Sequence, residues 1–186
     1  IANGVATLDT AQTGNVGVGD VVTYNFSGST VYIRAVLSQT RFVVQTANGG
    51  LPSNHVGSSV NSIKRAFNTI ATAESGSPTL IGGGSPSDLA TNNRRLTWVL
   101  YNDGPFSGAT TIDGYITTAT YYLTLTVAGA GQVASGVSQR HRGRAGTGAA
   151  LELQGTISAY VLRVLDPYTR VEWLEIDGND YTASHL

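Results

Sequence analysis

The chain has 186 residues, of which 12% are charged and 41% hydrophobic, with a formal net charge of −1 at pH 7. That balance provides no global field for nucleic acid or an anionic membrane, and the apolar share excludes a disordered tail. There is no cysteine, which excludes disulfide frameworks, thiolate zinc sites and thiol catalysis, and no apolar run approaches the ~18 residues of a membrane span. Gly, Thr and Val abundance favours strands and tight turns. The chain starts at Ile1 and has no Met, so a processed mature chain or an excised fragment is expected, with a secreted or cell-surface location.

Residues 1–58 read as a small antiparallel β module. Gly4–Leu8, Val21–Tyr24, Val31–Val36 and Arg41–Gln45 are the expected strands, bounded by turn residues such as Gly19-Asp20, Ser27-Gly28-Ser29 and Asn48-Gly49-Gly50. Val31, Ile33 and Ala35 alternate with Tyr32, Arg34 and Val36, so one face is buried and the other carries Arg34. A small barrel or β-roll fits this spacing.

Residues 59–76 read as one amphipathic capping helix. Val60, Ile63, Phe67 and Ile70 fall at helical spacing, Ser58 or Ser59 can cap the start, and Gly76 and Pro78 mark the end. Residues 77–94 are then a Gly/Ser/Pro loop.

Residues 95–186 return to short strands at Leu96–Tyr101, Thr110–Asp113, Tyr121–Val127, Ala149–Leu153, Tyr160–Leu165 and Arg170–Ile176. Unequal loops and no intervening helix suit stacked β-helix-like coils, with a β-sandwich as runner-up. The fold class expected is mainly β: an antiparallel module, one capping helix, then coils.

Certain stretches carry a resemblance. They are Val18-Gly19-Asp20-Val21-Val22-Thr23-Tyr24, Phe42-Val43-Val44-Gln45, Trp98-Val99-Leu100-Tyr101-Asn102-Asp103-Gly104-Pro105, Gln139-Arg140-His141-Arg142-Gly143 and Val171-Glu172-Trp173-Leu174-Glu175-Ile176-Asp177-Gly178. Together they resemble the N-terminal region of large bacterial exported right-handed parallel β-helix, adhesin-like proteins. The resemblance implies a β module and capping helix ahead of the first coils, with 171–178 as a coil strand ending in a polar turn. Such proteins continue for many coils, whereas this chain stops at Leu186. An uncovered last rung is therefore expected: either the remainder was removed, or another chain covers that rung by strand donation or end-to-end assembly.

The chemistry-bearing residues are sparse. Glu175 and Asp177 share one strand face at about 6.5–7 Å between Cα atoms, a spacing suited to paired carboxylates in glycoside hydrolysis, or to plain solvated charges. Arg140, His141, Arg142 and Arg144 form the one basic cluster, suited to sulfated or uronic-acid polysaccharide, or to a solvated loop. Trp98, Tyr101, Tyr115, Tyr121 and Tyr122 suit either a sugar-stacking platform or core packing. His55, His141 and His185 lack ligand spacing, and Asp20, Asp103 and Asp177 sit in turns without repeated acidic spacing, so no metal or other cofactor is expected. There is no nucleophile elbow and no phosphate loop.

The function expected is non-catalytic: an extracellular structural module, a self-assembling fibre subunit or part of a surface adhesin. Assembly would run through terminal strands, with Val5 and Leu8 at one end and Val171, Trp173 and Ile176 at the other. The partners expected are copies of the chain itself and polysaccharide, not nucleic acid or a membrane span. The alternative is a carbohydrate-active or carbohydrate-binding β-helix of lyase, glycosidase or phage-tail type, with Glu175 and Asp177 as its acids.

Overall fold

The computed structural model describes residues 1–82, 87–107, 109–153 and 160–178. It is mainly β, with one α-helix. Strands β1 (Val5–Thr7), β2 (Val21–Tyr24), β3 (Ser29–Ser38), β4 (Arg41–Gln45) and β5 (Val60–Lys64) form an antiparallel sheet in the order β1-β4-β3-β2-β5. Alternation sets its two faces: Ala6, Val22, Val31, Ile33, Phe42 and Val44 share one core, while Arg34 points outward. The sheet is open, edged by β1 and β5, and not a closed barrel.

The helix lies further along the chain than its apolar spacing suggests. Residues 60–64 are β5, where Ile63 sits opposite Val22 in the ladder and packs on the antiparallel core. Helix α1 runs from Ile70 to Ile81, so the expected 59–76 helix and the start of the 77–94 loop are both displaced. Thr69 caps it: its hydroxyl accepts from the Thr72 N–H while the Thr72 hydroxyl accepts from the Thr69 N–H. Pro78 lies inside the helix instead of ending it. Proline has no N–H to bond the carbonyl four residues back. That carbonyl, on Glu74, accepts instead from the Tyr115 hydroxyl at 3.0 Å. Of the expected loop, residues 83–86 lie outside the described residues.

The remaining strands are β6 (Leu96–Leu100), β7 (Phe106–Ser107), β8 (Thr110–Ile112), β9 (Leu123–Val127), β10 (Ala150–Glu152), β11 (Leu162–Val164), β12 (Thr169–Val171) and β13 (Glu175–Asp177). From β9 onward each strand pairs in parallel with the strand three places before it. Three small parallel sheets result: β6-β9-β12, β7-β10-β13 and β8-β11. All-parallel pairing rules out the runner-up sandwich, whose sheets are antiparallel. The expected strand Arg170–Ile176 is two strands, broken at Trp173, which holds a left-handed φ of 63°. Asp166, nearly buried, ties one corner to the corner below it by accepting from the Gly114 and Tyr115 N–H groups at 2.9 and 3.1 Å.

Helix α1 covers the first-strand end of these sheets. Ile70, Ala73 and Ile81 join Trp98, Leu100 and Ile112 in one core, and the Trp98 indole N–H donates to the Ser77 hydroxyl at 2.9 Å.

Candidate functional site at the last parallel rung

The register aligns apolar residues into columns running from rung to rung. Trp98 lies beside Leu125, which lies beside Val171. Phe106, Leu151 and Ile176 form a second column, and Ile112 and Val164 a third. Leu125 and Ile112 are 0% exposed and Leu151 is 1%. The ends of the same columns are open: Val171 is 38% exposed, Val164 40% and Ile176 51%. These three residues occupy core positions with nothing above them among the described residues. Leu165, Tyr168 and Trp173, on the same rung, are also more than two-fifths exposed. The strands bearing them, β11, β12 and β13, each have a single β neighbour among the described residues. An open strand edge joined to an apolar face is a template for added strands.

The opposite terminus is different. Val5 and Leu8 are half-buried on β1 and beside it. The Val5 N–H and C=O are both taken by Ala2 in a tight turn, so that edge is blunted at this residue.

The basic cluster does not converge on one pocket. Arg140 folds inward: its Nε donates to the Val127 carbonyl at 3.1 Å, and its guanidinium lies 4.8 Å from the Trp173 ring centre. His141 turns toward Glu175, with Nδ1 3.4 Å from the carboxylate and 3.0 Å from the Thr147 carbonyl. Arg142 and Arg144 are exposed. Gly148, at φ +80°, lets the chain pass tightly under this bend; a Cβ there would stand 2.6 Å from the Arg140 carbonyl oxygen.

Glu175 is similarly committed. Both carboxylate oxygens accept from the Gly146 N–H, at 3.0 and 3.1 Å, so the side chain holds the 141–147 loop against β13. Asp177 is exposed on the same strand. The sugar platform is not assembled: Trp98, Tyr101 and Tyr115 are core residues. Tyr122 is covered by Arg170 at 4.0 Å and flanked by Arg95 at 5.1 Å. His185 lies outside the described residues.

One cluster has no counterpart in the sequence patterns. Arg65, just after β5, joins the antiparallel sheet to the parallel part. Its Nη1 lies 2.6 Å from Asp20, its Nε 2.7 Å from Asp103, and its Nη2 donates to the Asn15 carbonyl at 3.0 Å. Its guanidinium stacks on Tyr101 at 3.4 Å, and the Tyr101 hydroxyl donates to the Val18 carbonyl at 2.7 Å. Burial pushes the Asp20 carboxyl above its ordinary value against the opposing pull of Arg65. Burial likewise pushes up the Tyr101 hydroxyl. Turn residues Asp20 and Asp103 are thus both served by the Arg65 guanidinium. Gly17 completes the junction, since a Cβ there would clash with the Gln132 carbonyl and stand 2.6 Å from the Tyr101 hydroxyl.

A cleft of about 920 Å³ lies beside this junction, between the antiparallel sheet, α1 and β6. Among the described residues no group of three or more His, Asp or Glu side chains is placed to hold a metal ion, and no helix is long and apolar enough to cross a membrane. Comparison with known proteins finds no family model, no curated relative and no solved structure that matches the chain.

Proposed function

We propose that this chain is a non-catalytic structural module of a secreted or cell-surface β assembly. It forms the capped start of a right-handed parallel β-helix of adhesin-like type. Its working surface is the last rung, where β11, β12 and β13 receive further β-strands.

The observation that carries this reading is the set of three apolar columns, each buried below and, among the described residues, ending exposed at Val164, Val171 or Ile176. Strand addition there satisfies the open backbone edge and extends the columns together. The triplet pairing rule, in which each strand joins the one three places earlier, supports the coil reading. The low charge and lack of cysteine suit an exported β surface. The acids favoured by the carbohydrate-active alternative are used differently, with Glu175 tied to Gly146 and His141.

The test is association. Sedimentation of the 186-residue chain is expected to show assembly that Val171→Lys or Ile176→Lys abolishes, while Phe26→Lys, at a fully exposed turn, leaves it intact. A monomer at every concentration contradicts the reading.

A further inference from the structure

The charged side chains lining the cleft beside the junction are Arg34, Arg65, Arg94, Arg95, Asp20 and Asp103. Among the described residues its walls thus carry two more positive charges than negative, in a chain whose net charge is −1. Three of the arginines are engaged. Arg65 holds both aspartates, Arg94 donates to the Ile81 and Gly82 carbonyls at 2.9 and 3.0 Å, and Arg95 donates to the Thr120 carbonyl at 2.8 Å. Arg34 is exposed and has no hydrogen bond, ion pair or ring partner among the described residues.

Arg34 does not stand alone. Alternation puts Tyr32 on the same face of β3, and the ladder sets Gln45 of β4 directly opposite Tyr32. Both are half-buried and line the cleft, and neither side chain has a hydrogen bond among the described residues. Burial pushes the Tyr32 hydroxyl above its ordinary value of 10.0, so at neutral pH it is a neutral group that donates and accepts. An apolar wall stands close by. A Cβ on Gly19 would lie 3.7 Å from the Val99 Cβ, and the Gly19 N–H donates to the carbonyl of Ile33, the residue between Tyr32 and Arg34.

We propose that this cleft binds an acidic oligosaccharide, a short chain of uronic acids. Arg34 takes a sugar carboxylate, Tyr32 and Gln45 take sugar hydroxyls, and Val99 lies against ring C–H groups. A guanidinium fork matches a carboxylate in two parallel hydrogen bonds. A phenol and an amide each donate and accept, which suits hydroxyls that do the same. The volume of about 920 Å³ lies within the range of ligand clefts and exceeds what an inorganic anion needs. A nucleic acid strand calls for several free cations along a track, and this cleft offers one. The proposal does not depend on strand addition at the last rung.

The experiment is titration calorimetry of the 186-residue chain at low salt. The ligands are trisaccharides of galacturonic, mannuronic and glucuronic acid, with neutral galactotriose, inorganic phosphate and an aspartate-rich peptide as comparisons. At least one uronic-acid trisaccharide is expected to bind more tightly than all three comparisons. Arg34→Gln is expected to weaken that binding about tenfold or more, the scale of one charge-assisted hydrogen bond. Tyr32→Phe, which keeps the ring and deletes the hydroxyl, is expected to weaken it about threefold to tenfold. Arg142→Gln, exposed and outside the cleft lining, is expected to change nothing. Circular dichroism of each variant separates lost binding from lost fold. No binding of any uronic acid overturns the proposal, as does equal binding of galactotriose, phosphate or the peptide, or binding indifferent to Arg34→Gln. Each of those results leaves the last-rung reading standing.

Discussion

Replacing Arg65 with Met removes one charge from the junction and leaves the Asp20 carboxylate, 3% exposed at its side chain, without a cation. Breaking a buried pair from one side costs about 3–5 kcal/mol. Arg65 itself is 23% exposed and water can reach part of the gap, so about 3 kcal/mol is the expected loss. Asp103, 45% exposed, contributes under about 1 kcal/mol of this. For a chain of this length the loss corresponds to a Tm lower by roughly 6–12 °C. The cost also depends on pH. Without Arg65, the Asp20 pKa rises further above its unfolded value near 3.8. Stability is then retained below that value and lost as pH rises through the folded pKa. Urea unfolding followed by far-ultraviolet circular dichroism, at neutral and acidic pH, reads this directly. Asp20→Asn combined with Arg65→Met is expected to recover about 2 kcal/mol of the single-variant loss. A loss no greater than that of Asp103→Asn, or one independent of pH, refutes the clamp.

Leu125→Ala, in the middle of a buried column, is expected to cost about 2–5 kcal/mol, whereas Val171→Ala, at its open end, costs under about 1 kcal/mol; equal losses in urea unfolding of dilute protein would contradict the column geometry. Gly17→Ala is expected to lower stability by about 1–3 kcal/mol because its Cβ meets a backbone carbonyl. Gly14→Ala, with nothing within 4 Å, serves as the control and stays within about 0.5 kcal/mol. Tyr101 and Tyr115 have hydroxyls pushed above the ordinary value of 10.0, in both cases chiefly by burial. The stability they contribute is full below that pH and is lost as pH climbs toward their folded values. In an ultraviolet titration these two of the nine tyrosines are expected to ionise only as the fold opens; early ionisation of all nine would refute their burial.

The alternating strands were the most legible part of the sequence. Val21–Tyr24 and Arg41–Gln45 form where period 2 and flanking turns place them. The helix was displaced because Val60, Ile63, Phe67 and Ile70 mimic helical spacing while Ile63 belongs to a ladder. The usual stop signals, Gly76 and Pro78, are overridden by a hydroxyl from Tyr115, far along the chain. Such rescue by a distant side chain leaves no local trace. Val171, Trp173 and Ile176 lie on the expected terminal strand Arg170–Ile176, but the break at Trp173 depends on a backbone angle the pattern does not encode. The exposure of Val164, Leu165 and Tyr168 beside Val171 and Ile176 became visible only through the parallel register. Arg65, Asp20 and Asp103 lie on three separate segments, so their meeting follows from tertiary packing. A half-buried arginine between two turn acids was readable only as composition.

Hydrogen exchange of the 186-residue chain, compared between dilute and concentrated solution, measures whether the last rung is the surface that gets covered. Slowed exchange in β11, β12 and β13 on concentration, with β6, β7 and β8 unchanged beneath α1, is the expected result. Protection that appears instead at β1 or β5, or nowhere, contradicts it.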